Sequence, residues 1–259
     1  MAAGIWTLTA GGASLSLTLG PSRDFAIDSL TSASGTSWIT GAAPDTVLHV
    51  GGHSLSFGNR AAGFAYRDAA VVTRGATLQL DATFRLAAND LTLTRHYAIV
   101  SGSPSFEAWT TYEGSGTEIA DLNALQITVP NGPVRWLTGL RGDTADVPTD
   151  AAFTLRRQTL ASGQSFSLGA THRASERNVP WFSIDGTEDE FYAALMWSGA
   201  WSAVFTRTGA ATAITVGLAP MTTTARGSVD GPHLVFGVAP GGVAQGTAAL
   251  RSYVLDGVR

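Results

Sequence analysis

The chain has 259 residues, 30 of them Gly and none Cys, with 14 % charged residues and a formal net charge of -4. A chain of this length buries about 70–75 % of its unfolded surface, so it folds without a disulfide or metal staple. All 16 basic residues are Arg, which excludes Schiff-base chemistry on lysine, and the missing thiols exclude Cys nucleophiles and Cys-ligated zinc. The charges are scattered singly, which argues against nucleic acid and an anionic membrane as partners, and no run approaches the roughly 18 apolar residues of a membrane span. Met1-Ala2-Ala3-Gly4 carries neither a basic nor an apolar leader region. The expected location is the cytoplasm, or a secreted or periplasmic one with the leader outside this sequence.

Residues 5–8 and 15–19 read as the first strands. His49 and His53 flank Gly51-Gly52; without a third ligand nearby they read as loop histidines rather than a metal pair. The Gly-flanked stretch 59–68 also reads as a loop, which places Phe64 and Tyr66 at the surface as candidate substrate-binding rings. From 76 to 86, Leu78, Leu80, Ala82, Phe84 and Leu86 alternate with Thr77, Gln79, Asp81, Thr83 and Arg85. This is a long antiparallel strand with one buried and one wet face. The turn 87–90 leads to a hairpin partner, in which Leu91, Leu93, Arg95, Tyr97 and Ile99 alternate with Thr92, Thr94, His96 and Ala98. His96 therefore falls on the polar face of a central strand, either lining a concave sheet surface or simply satisfied there.

A third run, 105–113, sets Phe106, Ala108, Thr110 and Tyr112 opposite Glu107, Trp109, Thr111 and Glu113. Further runs at 125–129, 134–140, 191–197, 201–206, 213–218 and 233–238 are separated by Gly, Pro, Asn, Asp or Ser. Residues 139–150 and 162–179 read as loops within one domain. About fifteen strands or more, with few helical periods, exclude a parallel α/β architecture and predict an all-β sandwich of large antiparallel sheets. The exception is 241–257, where Val243, Ala244, Ala248, Leu250, Tyr253 and Val254 follow a Gly-rich lead-in. That spacing predicts a C-terminal helix.

No hydrolase triad, nucleotide-binding or zinc motif is present, so no cofactor or metal is expected. Glu188, Asp189 and Glu190 beside Gly186 read as a solvated hairpin turn. Glu107 and Glu113 share one strand face about 20 Å apart, too far for a glycosidase dyad. Seven Trp, densest at Trp197-Ser198-Gly199-Ala200-Trp201, fit either sugar-stacking surfaces or a sandwich core.

Asn178-Val179-Pro180-Trp181-Phe182-Ser183-Ile184, then 191–201 with Trp197-Ser198-Gly199-Ala200-Trp201, then Val216-Gly217-Leu218-Ala219-Pro220, follow one another along the chain. Pro104-Ser105-Phe106-Glu107-Ala108-Trp109 and Leu137-Thr138-Gly139 precede them. This order resembles the N-terminal domain of α-galactosidases of glycoside hydrolase family 36, with Ala200 and Arg226-Gly227 as departures from the family pattern. The resemblance implies a β-supersandwich (galactose mutarotase-like) spanning 1–259 as a single domain. It implies a (β/α)8 barrel following in the same polypeptide, with both catalytic aspartates of a retaining mechanism on that barrel. No carboxylate here matches them, so no catalytic residue is assigned. The implied partners are the barrel, a galactoside or other carbohydrate, and further copies of the chain in a homo-oligomer. Phe64, Tyr66 and Trp109 are the candidate sugar contacts. Two other functions remain open: a carbohydrate-binding module, and a mutarotase-type epimerase pairing His96 with Glu107 or Glu113.

Overall fold

The computed structural model describes residues 4–20, 24–141 and 150–257. Eighteen strands run through them. The first nine are β1 (Gly4–Ala10), β2 (Ala13–Leu19), β3 (Phe25–Thr31), β4 (Ser37–Pro44), β5 (Val47–Val50), β6 (His53–Ser56), β7 (Phe64–Arg74), β8 (Thr77–Leu86) and β9 (Leu91–Val100). Then follow β10 (Phe106–Pro130), β11 (Val134–Thr138), β12 (Leu155–Gln158), β13 (Ser165–Ala170), β14 (Asn178–Asp185), β15 (Asp189–Met196), β16 (Trp201–Thr208), β17 (Ala211–Asp230) and β18 (His233–Pro240). One helix, α1 (Val243–Gly257), comes last, where the spacing predicts it.

β1 to β4 form an antiparallel meander. The other strands make one antiparallel sheet in the order β12-β11-β14-β15-β18-β10-β17-β16-β13, with β7-β8-β9 and β5-β6 joining at β10. β10 is the hub because it is 25 residues long and changes partners along its length. The sequence predicts separate strands at 105–113 and 125–129, with a break at the glycines between them. The structure instead continues through, with register shifts at Ser115/Thr117, Ala120/Leu122 and Asn123/Leu125. Gly116 (φ 137) and Asp121 (φ 43) supply the left-handed backbone there. Glycine inside a strand marks a bulge here, not an end.

Alternation in β8, β9 and β10 creates two faces. The inner face carries Leu80, Phe84, Leu93, Tyr97 and Ala108, all fully buried against the four-stranded sheet. Phe25 of β3 lies 6.0 Å from Phe84 and 6.3 Å from Tyr97 between ring centroids. Arg95 is buried in the same layer, its Nε donating to Asp45 Oδ2 at 2.7 Å and its Nη2 to the Ala124 carbonyl at 2.7 Å. The Tyr97 hydroxyl donates to the same Asp45 oxygen. Burial alone would lower the Arg95 pKa, yet Asp45 holds it raised. The guanidinium is therefore charged in the core and matched by one carboxylate.

Several loop expectations are corrected. Phe64 begins β7 and is 2 % exposed, packed between Phe57 and Phe84. Tyr66 is half-buried on the same strand, edge-on to Phe84 at 5.6 Å. The Gly-rich flank was a poor guide because those glycines form the turn before the strand. His49 and His53 sit on β5 and β6, joined by Gly51 (φ 57) and Gly52 (φ 75) in a two-residue hairpin. Within 162–179 lies β13, the edge strand paired to β16. Of 139–150, residues 142–149 lie outside the described residues. Asp189 and Glu190 are 3 % and 0 % exposed, not a solvated turn, because β15 begins at Asp189, whose carboxylate accepts from Ser32 at 2.5 Å and Ser34 at 2.8 Å between β3 and β4, while Glu190 on the other face lies under α1.

Candidate functional site

The outer face of the sheet carries the clustered chemistry. Register places Asp81 of β8 opposite His96 of β9, and His96 opposite Trp109 of β10. Ala108 pairs with Leu234 of β18, so His233 falls beside Trp109. The three rings stand in a row: His96 stacks on one face of Trp109 at 4.6 Å and His233 on the other at 4.5 Å. Both indole faces are thereby occupied, leaving only the ring edge toward solvent.

Each imidazole is held by a carboxylate. His96 Nδ1 lies 2.6 Å from Asp81 Oδ1, and His233 Nδ1 lies 2.6 Å from Glu107 Oε1. The Thr111 hydroxyl donates to Asp230 at 2.6 Å, so its oxygen is left to accept from His96 Nε2 at 2.9 Å. The Gln79 amide Nε2, which donates to the same Asp81 oxygen at 2.6 Å, also lies 3.2 Å from His96 Nδ1, so both ring nitrogens are engaged within the protein. Burial lowers the His96 pKa and outweighs the upward pull of Asp81. The lowered pKa favours the neutral imidazole near neutral pH, with both ring nitrogens held by protein partners. For His233, a bond from Nδ1–H to Glu107 leaves Nε2 as a lone-pair acceptor on a half-exposed ring. Glu107 also accepts from Tyr253 of α1, and burial together with Glu107 holds that phenol above its ordinary pKa.

Of the residues singled out by sequence, the structure brings His96, Glu107 and Trp109 together and leaves Phe64 in the core. Tyr66 stands on the β7–β8 hairpin among the core aromatics. Glu107 serves His233, not His96, and Glu113 is exposed further along β10. His233 and Asp230 are the residues that sequence reasoning missed. His233 carried one signal, its place at the head of an alternating run; the register that sets it beside Trp109 could not be read. Among the seven Trp, the side chains of Trp38, Trp136, Trp181 and Trp201 are buried. The Trp201 indole donates to the Ala174 carbonyl at 2.7 Å, whereas Trp197 is 37 % exposed.

No protein-family model matches the chain, and no curated protein matches it in sequence. Solved structures do match. GH36 alpha-galactosidase AgaA from Geobacillus stearothermophilus superposes with a TM-score of 0.74 at 13 % identity, over 95 % of this chain and 42 % of that one. This chain shares its fold with part of the GH36 alpha-galactosidases. The alpha-galactosidase from Lactobacillus brevis gives a TM-score of 0.72 at 11 % identity, over 97 % of this chain and 42 % of that one. A putative aldose 1-epimerase from Escherichia coli gives 0.55 at 10 % identity, over 92 % of this chain and all of that one. The chain thus spans less than half of the GH36 alpha-galactosidases it matches. The GH36-type fold agrees with the β-supersandwich expected from the ordered motifs, and the epimerase likeness with its mutarotase-like character.

Proposed function

We propose that this chain is the N-terminal, non-catalytic domain of an α-galactosidase-like retaining glycoside hydrolase. In this reading it packs on a catalytic barrel in the same polypeptide, helps to shape the sugar pocket, and takes part in oligomer contacts. The observation that carries it is the asymmetry of coverage: 95 % of this chain against 42 % of AgaA. A fold that fills this chain and leaves more than half of the larger enzyme unmatched fits a domain beside a separate catalytic one. The 259-residue chain is expected to release no nitrophenol from an aryl α-galactoside above the buffer rate. Sustained turnover by this chain alone would overturn the reading.

A second reading is favoured by one observation, the two imidazole–carboxylate pairs on either side of Trp109. Mutarotation needs one group to protonate the ring oxygen of an aldose and another to take the proton from the anomeric hydroxyl. His96 and His233 place two carboxylate-paired imidazoles, groups able to exchange protons, on the same sheet face. If this reading holds, the chain accelerates galactose mutarotation in polarimetry, and His233→Phe abolishes the acceleration while the fold persists; an uncatalysed rate rejects it. Burial of four of the seven Trp side chains weighs against a binding module that works by indole stacking. Trp109 then acts as the spacer between the imidazoles, one stacked on each face of its indole.

A further inference from the structure

α1 lies on the outer face against β9, β14, β15 and β18. Beneath it Glu190 of β15 is 0 % exposed, and neither of its carboxyl oxygens has a hydrogen-bond partner among the described residues. Gly246 of α1 rests directly on that carboxyl; a Cβ there would overlap Oε1. Among the described residues no neighbouring element donates a hydrogen bond to the acid. Across the β14 pairing stands Asp185, a like charge, and Ser183 Oγ on the same strand is buried without a partner. From β11, Arg135 turns its Nη2 to Asp185 at 2.7 Å, while Arg157 of β12 approaches Asp185 at 3.6 Å. On β15 itself the Tyr192 hydroxyl is engaged with Ser105 at 2.8 Å, and β18 presents Ala239. Among the described side chains of α1 the charged one is Arg251, which is exposed.

An ionised carboxylate enclosed without a donor is far costlier than a neutral acid in the same place. Burial first, and Asp185 second, push the Glu190 pKa up to about 7 against the pull of Arg135. Ionised, the group needs water, and the element that can move to admit it is α1. That helix has 15 residues, too short to be stable alone. It is seated by Ala249, Leu250 and Tyr253 on Val100, Tyr192, Val235 and Ala239. Its far end is tied through Tyr253 to Glu107 and so to His233.

We propose that α1 is a pH-gated latch on the outer face, docked while Glu190 keeps its proton and released when the proton is lost, so that Tyr253 leaves Glu107 and the His233–Trp109 end of the site opens. The direction follows from linkage. An acid whose pKa is raised on docking favours the docked state fully below the ordinary carboxylate range, and that advantage is lost as pH climbs through the raised value.

The test is amide hydrogen exchange of the 259-residue chain, corrected for intrinsic rates, at about pH 5 and about pH 8. Protection across α1 is expected to fall roughly hundredfold, as a shift of this size implies, while the β14 and β15 amides keep theirs. Glu190→Gln, which cannot ionise, is expected to hold α1 protection constant. Equal protection of wild-type α1 at both pH values, or the same loss in both proteins, would overturn the latch, as would joint loss from β14 and β15. Should Glu190→Gln fail to fold, the side-chain carboxyl carbon shift of Glu190 in the wild-type chain decides. A midpoint near neutrality that coincides with α1 release supports the latch, and one in the ordinary carboxylate range refutes it.

Discussion

Asp45→Ala is expected to destabilise the chain by about 3–5 kcal/mol, a large share of the roughly 5–15 kcal/mol that holds a domain together. The reason is what remains behind. Arg95 is 0 % exposed and stays charged, its Nε aimed at the vacated position, and the Tyr97 hydroxyl loses the same acceptor. The loss is of a matched charge, not of favourable pairing energy, so removing both charges should cost less than removing one. A double variant, Asp45→Leu with Arg95→Met, is expected to unfold at a higher denaturant midpoint than Asp45→Ala. If the single variant is the more stable of the two, the account of the buried pair is wrong.

Phe84→Ala is the second large effect, about 3–5 kcal/mol, from lost apolar burial plus the cavity left behind. Phe84 is fully buried at the meeting of four rings, 5.2 Å from Phe57, 5.6 Å from Tyr66, 6.0 Å from Phe25 and 6.4 Å from Phe64. These rings join the four-stranded sheet to the β7–β8 hairpin, so the cavity cannot close without moving two sheets. Phe64→Leu, which keeps most of the volume, is expected to cost under about 1.5 kcal/mol. Chemical denaturation of both variants reads the difference. A Phe64→Leu cost near that of Phe84→Ala would contradict this packing.

Much of the architecture is legible because two-residue alternation is written locally. Leu78 to Leu86 and Leu91 to Ile99 declare β8, β9 and their two faces, and the same alternation puts His96 on the outer one. The apolar face of β9 also includes Arg95, a charge where none belongs. Its partner, 50 residues away, lies in a stretch with no alternation to mark it. The site is legible by half for the same reason. Glu107 and Trp109 are neighbours on one strand, whereas His233 meets Glu107 across 126 residues through a pairing that no local pattern encodes. Glu190 was misread because the solvent it would face as a turn residue is displaced by α1, more than 50 residues later. The ordered motifs of 178–220 reach further than periodicity does, because the family resemblance they carry implies the supersandwich, a fold the chain shares with solved GH36 structures.

The proposal that this domain serves a hydrolase rather than acting alone is tested most directly by one comparison. The polypeptide encoded by the reading frame continuous with residue 259 and the 259-residue chain would be assayed side by side on an aryl α-galactoside. The account predicts turnover by the longer polypeptide and none by the 259-residue chain. Hydrolysis by the 259-residue chain, or a longer product that lacks a catalytic barrel and α-galactosidase activity, would contradict it.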